Sequence, residues 1–117
     1  GIFKFSREPG SHAHDLADQV PEEVKEDRWN RLMQIQKKTL NKWNKRWIGK
    51  KIPVVVEGYH PESKLLMIGR HQGQAPDIDG QVIINDGRLV KSFGSLYLAE
   101  VTESHDYDLV AKIISPL

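Results

Sequence analysis

His12, His14 and Asp15 place two imidazoles and a carboxylate close together, and in extended backbone an i, i+2 pair can share one metal ion. A site of that kind needs a further ligand from a distant segment. None accompanies it, so the segment reads as a solvated loop. Ser104, His105 and Asp106 bring together the side-chain types of a hydrolytic triad. Adjacent residues on a strand point to opposite faces, so adjacency cannot assemble them. Cysteine is absent, which excludes disulfides, thiolate zinc sites, a cysteine nucleophile and the thiolates that hold iron–sulfur clusters. The chain is therefore expected to carry no catalytic residue, no metal ligand and no cofactor of its own.

Two segments carry binding chemistry instead. Gly69-Arg70-His71-Gln72-Gly73 and Ala75-Pro76-Asp77-Ile78-Asp79-Gly80 form a polar stretch with little to bury, and exposed loops on a rigid scaffold are where binding residues concentrate. Arg70, His71, Asp77 and Asp79 are its candidate substrate contacts. The two aspartates offer carboxylates to a basic protein, while Arg70 either orients the loop or meets an acidic group. The glycine spacing matches neither a dinucleotide nor a phosphate loop, and a solvated turn is the plainer reading. The second segment, Lys37 to Lys51, interleaves Trp43 and Trp47 with cations. Lys42, Lys45, Arg46 and Lys50 could meet phosphates while the aromatics stack on bases. A solvated basic face competes with that reading, and a basic amphipathic helix can also lie on a membrane surface. No lipid-anchor motif accompanies it, and no run of about 18 apolar residues exists, so no membrane partner is expected.

These segments need elements to hold them. Residues 1 to 5 alternate like a short strand that stops at Pro9-Gly10, expected to be the remnant of a sheet whose other members lie outside the chain. Residues 11 to 20 read as a connector. Pro21 suits the first position of a helix, Glu22 and Glu23 complement the positive end of its dipole, and Gly49 supplies the stop. The helix is expected over 21–48, roughly 42 Å long, with Trp29, Leu32, Met33, Leu40, Trp43 and Trp47 on one apolar stripe. A helix of that length bridges bodies, and its stripe is expected to be partly exposed here. From Lys50 the pattern changes to five short β-rich runs between turn residues: 52–59, 65–68, 81–85, 96–102 and 109–114. The stretch 88–94 is ambiguous.

The fold class that results is α+β, a residual strand and a long linker helix followed by an all-β, five-stranded antiparallel barrel. At 117 residues there is room for one core plus an appendage. The start, Gly1-Ile2-Phe3-Lys4-Phe5, reads as a cut inside a longer protein. The net charge of +1 is unevenly divided. Residues 1–49 hold 10 Lys/Arg against 7 Asp/Glu, hence +3, and residues 50–117 hold 7 against 9, hence −2. A barrel of net −2 is poorly suited to nonspecific binding of RNA and better suited to a basic protein.

Three groups of residues, taken in order and spacing, carry a resemblance over nearly the whole chain. They are Ser6-Arg7-Glu8-Pro9-Gly10-Ser11, the stretch Asp18-Gln19-Val20-Pro21-Glu22-Glu23-Val24-Lys25-Glu26-Asp27-Arg28, and Gly69-Arg70 with Ala75-Pro76-Asp77-Ile78-Asp79-Gly80 and Tyr107-Asp108-Leu109. The chain resembles the C-terminal third of radical-SAM methylthiotransferases. Within them it is similar to the RimO family, which methylthiolates an aspartate of a small-subunit ribosomal protein near the decoding centre. Gly94-Ser95 departs from the pattern by lacking the acidic residue that often follows this glycine.

The resemblance implies that residues 1–20 end a radical-SAM barrel, 21–49 link it to the next domain by a helix on which that barrel packs, and 50–117 form an OB-like TRAM domain that holds the substrate. It also implies a cytoplasmic parent enzyme with two [4Fe-4S] clusters and S-adenosylmethionine, all bound outside this sequence. The alternative is an RNA-binding TRAM module of a tRNA methylthiotransferase.

Overall fold

The computed structural model describes all residues from Gly1 to Leu117. The chain divides into two compact units, Gly1–Gln36 and Lys37–Leu117. Helix α1 (Glu22–Asn44) runs through the boundary, and a single 3-10 turn (Lys45–Trp47) follows it. Its start is where the proline and the paired glutamates place it, with the Pro21 carbonyl accepting the N–H groups of Val24 and Lys25. Its end is earlier than expected, because the last turn tightens to i→i+3 bonding, as helix ends commonly do. Gly49 follows with φ 83°, a left-handed conformation that favours glycine, and donates its N–H to the Val101 carbonyl at 2.8 Å.

In the first unit the expected strand over residues 1–5 does not form. An isolated strand would leave its ladder groups without partners. Instead the Ile2 carbonyl accepts from Trp29 Nε1 at 2.9 Å and the Phe5 carbonyl from Lys25 Nζ at 3.2 Å. The expected connector contains a 3-10 turn (His12–Asp15) whose N-cap, Ser11, accepts from the His14 N–H. The extended backbone that a shared metal would have required is therefore absent there.

The second unit is a closed barrel of β1 (Lys51–His60), β2 (Ser63–Arg70), β3 (Val82–Asp86), β4 (Ser95–Ser104) and β5 (Leu109–Pro116), arranged β1-β2-β3-β5-β4. All five expected runs are strands. Four of the ladders are antiparallel, but β3 pairs β5 in parallel, with Val82 opposite Leu109, a departure from the all-antiparallel expectation. The period of two decides the core: in β1 Ile52, Val54 and Val56 point inward while Lys51, Pro53 and Glu57 face water. Val82, Ile84, Tyr97, Ala99, Val101, Leu109, Ala111 and Ile113 complete the interior. The ambiguous stretch 88–94 is a loop. It is fastened by the Tyr97 hydroxyl, which accepts the N–H groups of Lys91 and Ser92.

Candidate docking site

The connection from β2 to β3 is built by its own backbone. Just past Arg70, the His71 N–H donates to Gln74 Oε1 at 3.1 Å, the Gly73 N–H donates to His71 Nδ1 at 3.0 Å, and the Gln74 N–H donates to the His71 carbonyl at 3.1 Å. Gln74 is buried by this folding. A second turn follows: the Asp79 N–H reaches the Ala75 carbonyl, and the Ala75 N–H returns to Asp79 Oδ2 at 2.8 Å. Asp77 sits at its tip with φ 60°. That conformation is uncommon for residues with a side chain, and aspartate and asparagine tolerate it best.

The loop closes against the β4–β5 turn. A Cβ built on Gly80 would lie 1.8 Å from the Tyr107 carbonyl oxygen, so only glycine fits without displacing backbone. Next to it the Gln81 N–H donates to Asp108 Oδ1 at 2.9 Å and the Leu109 N–H to the Gln81 carbonyl at 3.0 Å. Between the loop and β1–β2 lies a cleft of about 140 Å³ lined by Glu57, Arg70, Asp77, Asp79 and Gln81 among others. Arg70 Nε lies 2.8 Å from Glu57 Oε1 as an ion contact, its N–H not aimed along the line of a hydrogen bond. The Ala75 N–H holds the Asp79 carboxyl below the usual carboxylate range.

Arg70 also borders a larger groove of about 450 Å³ on the other side of the loop, floored by Pro53, Val55 and Leu96 and walled by Trp47 and His71. The Trp47 and His71 rings lie 5.4 Å apart, tilted by 31°. Burial pushes the His71 imidazolium pKa below its ordinary value. Nδ1 already accepts a hydrogen bond, so the neutral ring carries its proton on Nε2. Beyond the groove, the Arg46 guanidinium stacks 4.5 Å over the Trp43 ring and Lys50 Nζ lies 5.8 Å from that of Trp47.

The structure thus brings Arg70, Asp77 and Asp79 to one cleft. His71 turns into the neighbouring groove, and Arg46 and Lys50 stand on aromatic faces. The ion pairs of this unit use other cations: Lys37 with Asp106, Arg70 with Glu57, Arg88 with Asp86 and Lys112 with Glu100. Lys42, Lys45, Arg46 and Lys50 remain exposed. The helix stripe is divided: Leu32 and Trp43 are exposed, as is Ile35 beside them, while Trp29, Met33, Leu40 and Trp47 are half-buried. Ser104, His105 and Asp106 make no triad, since Asp106 accepts from Asn41 at 2.9 Å and His105 Nε2 lies 3.6 Å from Glu103. Sequence reasoning missed Gln74 and Asp108 as residues that shape the loop, and missed the contact that Gly80 makes with Tyr107. The resemblance motifs contain Gly80 and Asp108, but nothing local in them announces the contact.

A small closed five-stranded barrel with one parallel pairing, preceded by a helix, is the architecture of an OB-like domain. Residues 48–114 match the family described as the TRAM domain, and the chain belongs to that family. It is 68% identical, over 97% of its length, to the ribosomal protein uS12 methylthiotransferase RimO of Protochlamydia amoebophila. Proteins of the same name from Myxococcus xanthus and Geobacter sulfurreducens are 51% and 45% identical over 97% and 98% of the chain. The chain spans about a quarter of the length of these relatives, 24% to 25%. The likeness to the RimO family drawn from the motifs is borne out, and the chain is the TRAM-bearing region of that family.

No residue set here fits an iron–sulfur cluster, since the chain has no cysteine and no group of three or more potential metal ligands. No helix is long and apolar enough to cross a membrane.

Proposed function

We propose that the barrel docks the basic ribosomal protein uS12 for a methylthiotransferase that modifies one of its aspartates, with the cleft beside the 71–80 loop as the contact surface. The observation that carries this reading is a charged cleft in a barrel segment of net −2, with 7 Lys/Arg against 9 Asp/Glu over residues 50–117, in a relative of proteins named for uS12. Complementary charge speeds encounter and sets orientation. Asp77 supplies an exposed carboxylate at the loop tip, Asp79 shapes the loop while remaining ionised, and Arg70, paired with Glu57, meets an acidic group or steadies the rim. His71 Nε2 adds a neutral donor.

The parent enzyme is a cytoplasmic radical-SAM protein whose two [4Fe-4S] clusters and S-adenosylmethionine are held outside this chain. Its barrel ends near residue 20 and covers the apolar stripe of the 21–49 helix, leaving 50–117 as the TRAM domain. Titration of uS12 against this chain tests docking. Micromolar or tighter binding that weakens with salt is expected, and no binding at low salt refutes it. The RNA reading is favoured by one observation, the exposed cations of the helix end above Trp43 and Trp47. Tight RNA binding with a steep salt slope, lost when Lys42, Lys45, Arg46 and Lys50 are replaced by glutamine, would establish it.

A further inference from the structure

The helix end and the 71–80 loop are far apart in sequence, yet polar and aromatic contacts tie the loop to the helix end on both sides. On the first side His71 stacks on Trp47, which the 3-10 turn after α1 carries, and buried Gln74 holds the His71 backbone. On the second side the connection runs through the β4–β5 turn. Asn41 Nδ2 donates to Asp106 Oδ1 at 2.9 Å, Lys37 Nζ lies 3.3 Å from Asp106 Oδ2, and Asn44 Nδ2 donates to the His105 carbonyl at 3.4 Å. The same turn then grips the loop's exit: the Tyr107 carbonyl fills the space where a Gly80 side chain would be, and Asp108 accepts from Gln81. The two buried polar side chains, Asn44 and Gln74, both belong to these connections. Polar groups are buried where a specific geometry is enforced, since each must find a partner in place of water.

We infer that Asn41, Asn44, Gln74 and Asp106 are positioning residues of a clamp that fixes the 71–80 loop to the end of α1, so that the two move as one. Its purpose, presenting the loop in a set orientation, rests on the docking function proposed above. The clamp itself is measurable without a partner. A group that binds the loop then stabilises the helix end, and anything that holds the helix end pre-shapes the loop, because coupling between two sites is reciprocal.

Amide hydrogen exchange on the 117-residue chain provides the test. Asp106 is half exposed, so Asp106→Ala removes two ties without opening the core. The expected result is a loss of protection of about tenfold at Gln74, Ala75 and Asp79, with the amides of β1 and β4 unchanged. Asp106→Asn keeps an acceptor for Asn41 and should restore most of that protection. Asn44→Ala should act on the same loop amides. Unaltered loop protection in Asp106→Ala overturns the clamp, and so does an equal loss throughout the barrel. Failure of uS12 to bind while the exchange pattern behaves as expected would refute the docking function alone.

Discussion

The acidic cleft and the basic helix end both offer charge to a partner, but they are made differently. In the cleft the charge is part of the fold: Asp79 holds the Ala75 N–H, Arg70 faces Glu57, and Gly80 admits the neighbouring backbone. At the helix end the exposed charges project from α1 and from the 3-10 turn after it, and the side chains of Lys42 and Lys45 shape no loop. Substitutions should therefore disturb shape at the first surface and only charge at the second. Asp77 is the exception that allows the two effects to be separated at the cleft.

Gly80→Ala should break the comparison most severely. Its new methyl must displace the Tyr107 carbonyl, and forcing a group into packed surroundings costs about 1–3 kcal/mol, with the upper end expected against backbone. Thermal melting should show the loss, and no substitution among the exposed lysines should approach it. Next in size is a pair of tryptophans four residues apart. Trp47 packs on the core and on His71, so Trp47→Ala should cost about 2 kcal/mol, below the figure for full burial. Trp43 is 55% exposed, and Trp43→Ala should stay within about 0.5 kcal/mol. Equal losses in denaturant titrations would mean that Trp43 contributes to packing as Trp47 does, against its exposure.

How much of this was legible in the sequence follows from the range of the interactions. Pro21, the paired glutamates and Gly49 announced the helix because capping is local. The alternation of Ile52, Val54 and Val56 announced a strand because its period is local too. The parallel β3–β5 ladder, the fit of Gly80 against Tyr107 and the reach of Asn41 to Asp106 join segments 25 or more residues apart, which no spacing rule addresses. Residues 1–5 show the opposite failure: the alternation was real, but a strand needs a partner. Of the candidate site, Arg70, Asp77 and Asp79 were found by polarity and do share a cleft, while the acceptor role of Asp79 within the loop was not visible.

A smaller effect, read by pH, is expected at His71, which lines the groove beside Trp47. His71 is favoured as the neutral ring by burial and by the bond to its Nδ1, so its folded pKa lies below the ordinary 6.5. The unfolded chain then binds the proton more readily, and stability contributed by His71 is complete above about pH 6.5 and falls as pH drops towards the folded pKa. Melting temperature measured between about pH 7.5 and 5.5 should fall on acidification. His71→Phe, which keeps the stacking on Trp47 but cannot titrate, should flatten that slope; an unchanged slope would remove His71 from the pH response.

The smallest effect on stability is expected at Asp77, and it discriminates best between the partners. At φ 60° an alanine would pay for the left-handed backbone, whereas asparagine tolerates it, so Asp77→Asn removes charge while keeping shape. Stability should stay within about 0.5 kcal/mol, as for other exposed positions. If the cleft meets a basic protein, this variant should bind uS12 several-fold more weakly, chiefly through slower association, with a shallower dependence on salt. Its affinity for RNA should be unchanged or slightly higher, since one repelling charge is gone. Replacing Lys42 and Lys45 with glutamine should do the reverse, sparing uS12 and weakening RNA. If Asp77→Asn leaves uS12 binding intact and the lysine variant abolishes it, docking belongs to the helix end, and the cleft would be a packing feature whose charges serve only to fold the loop.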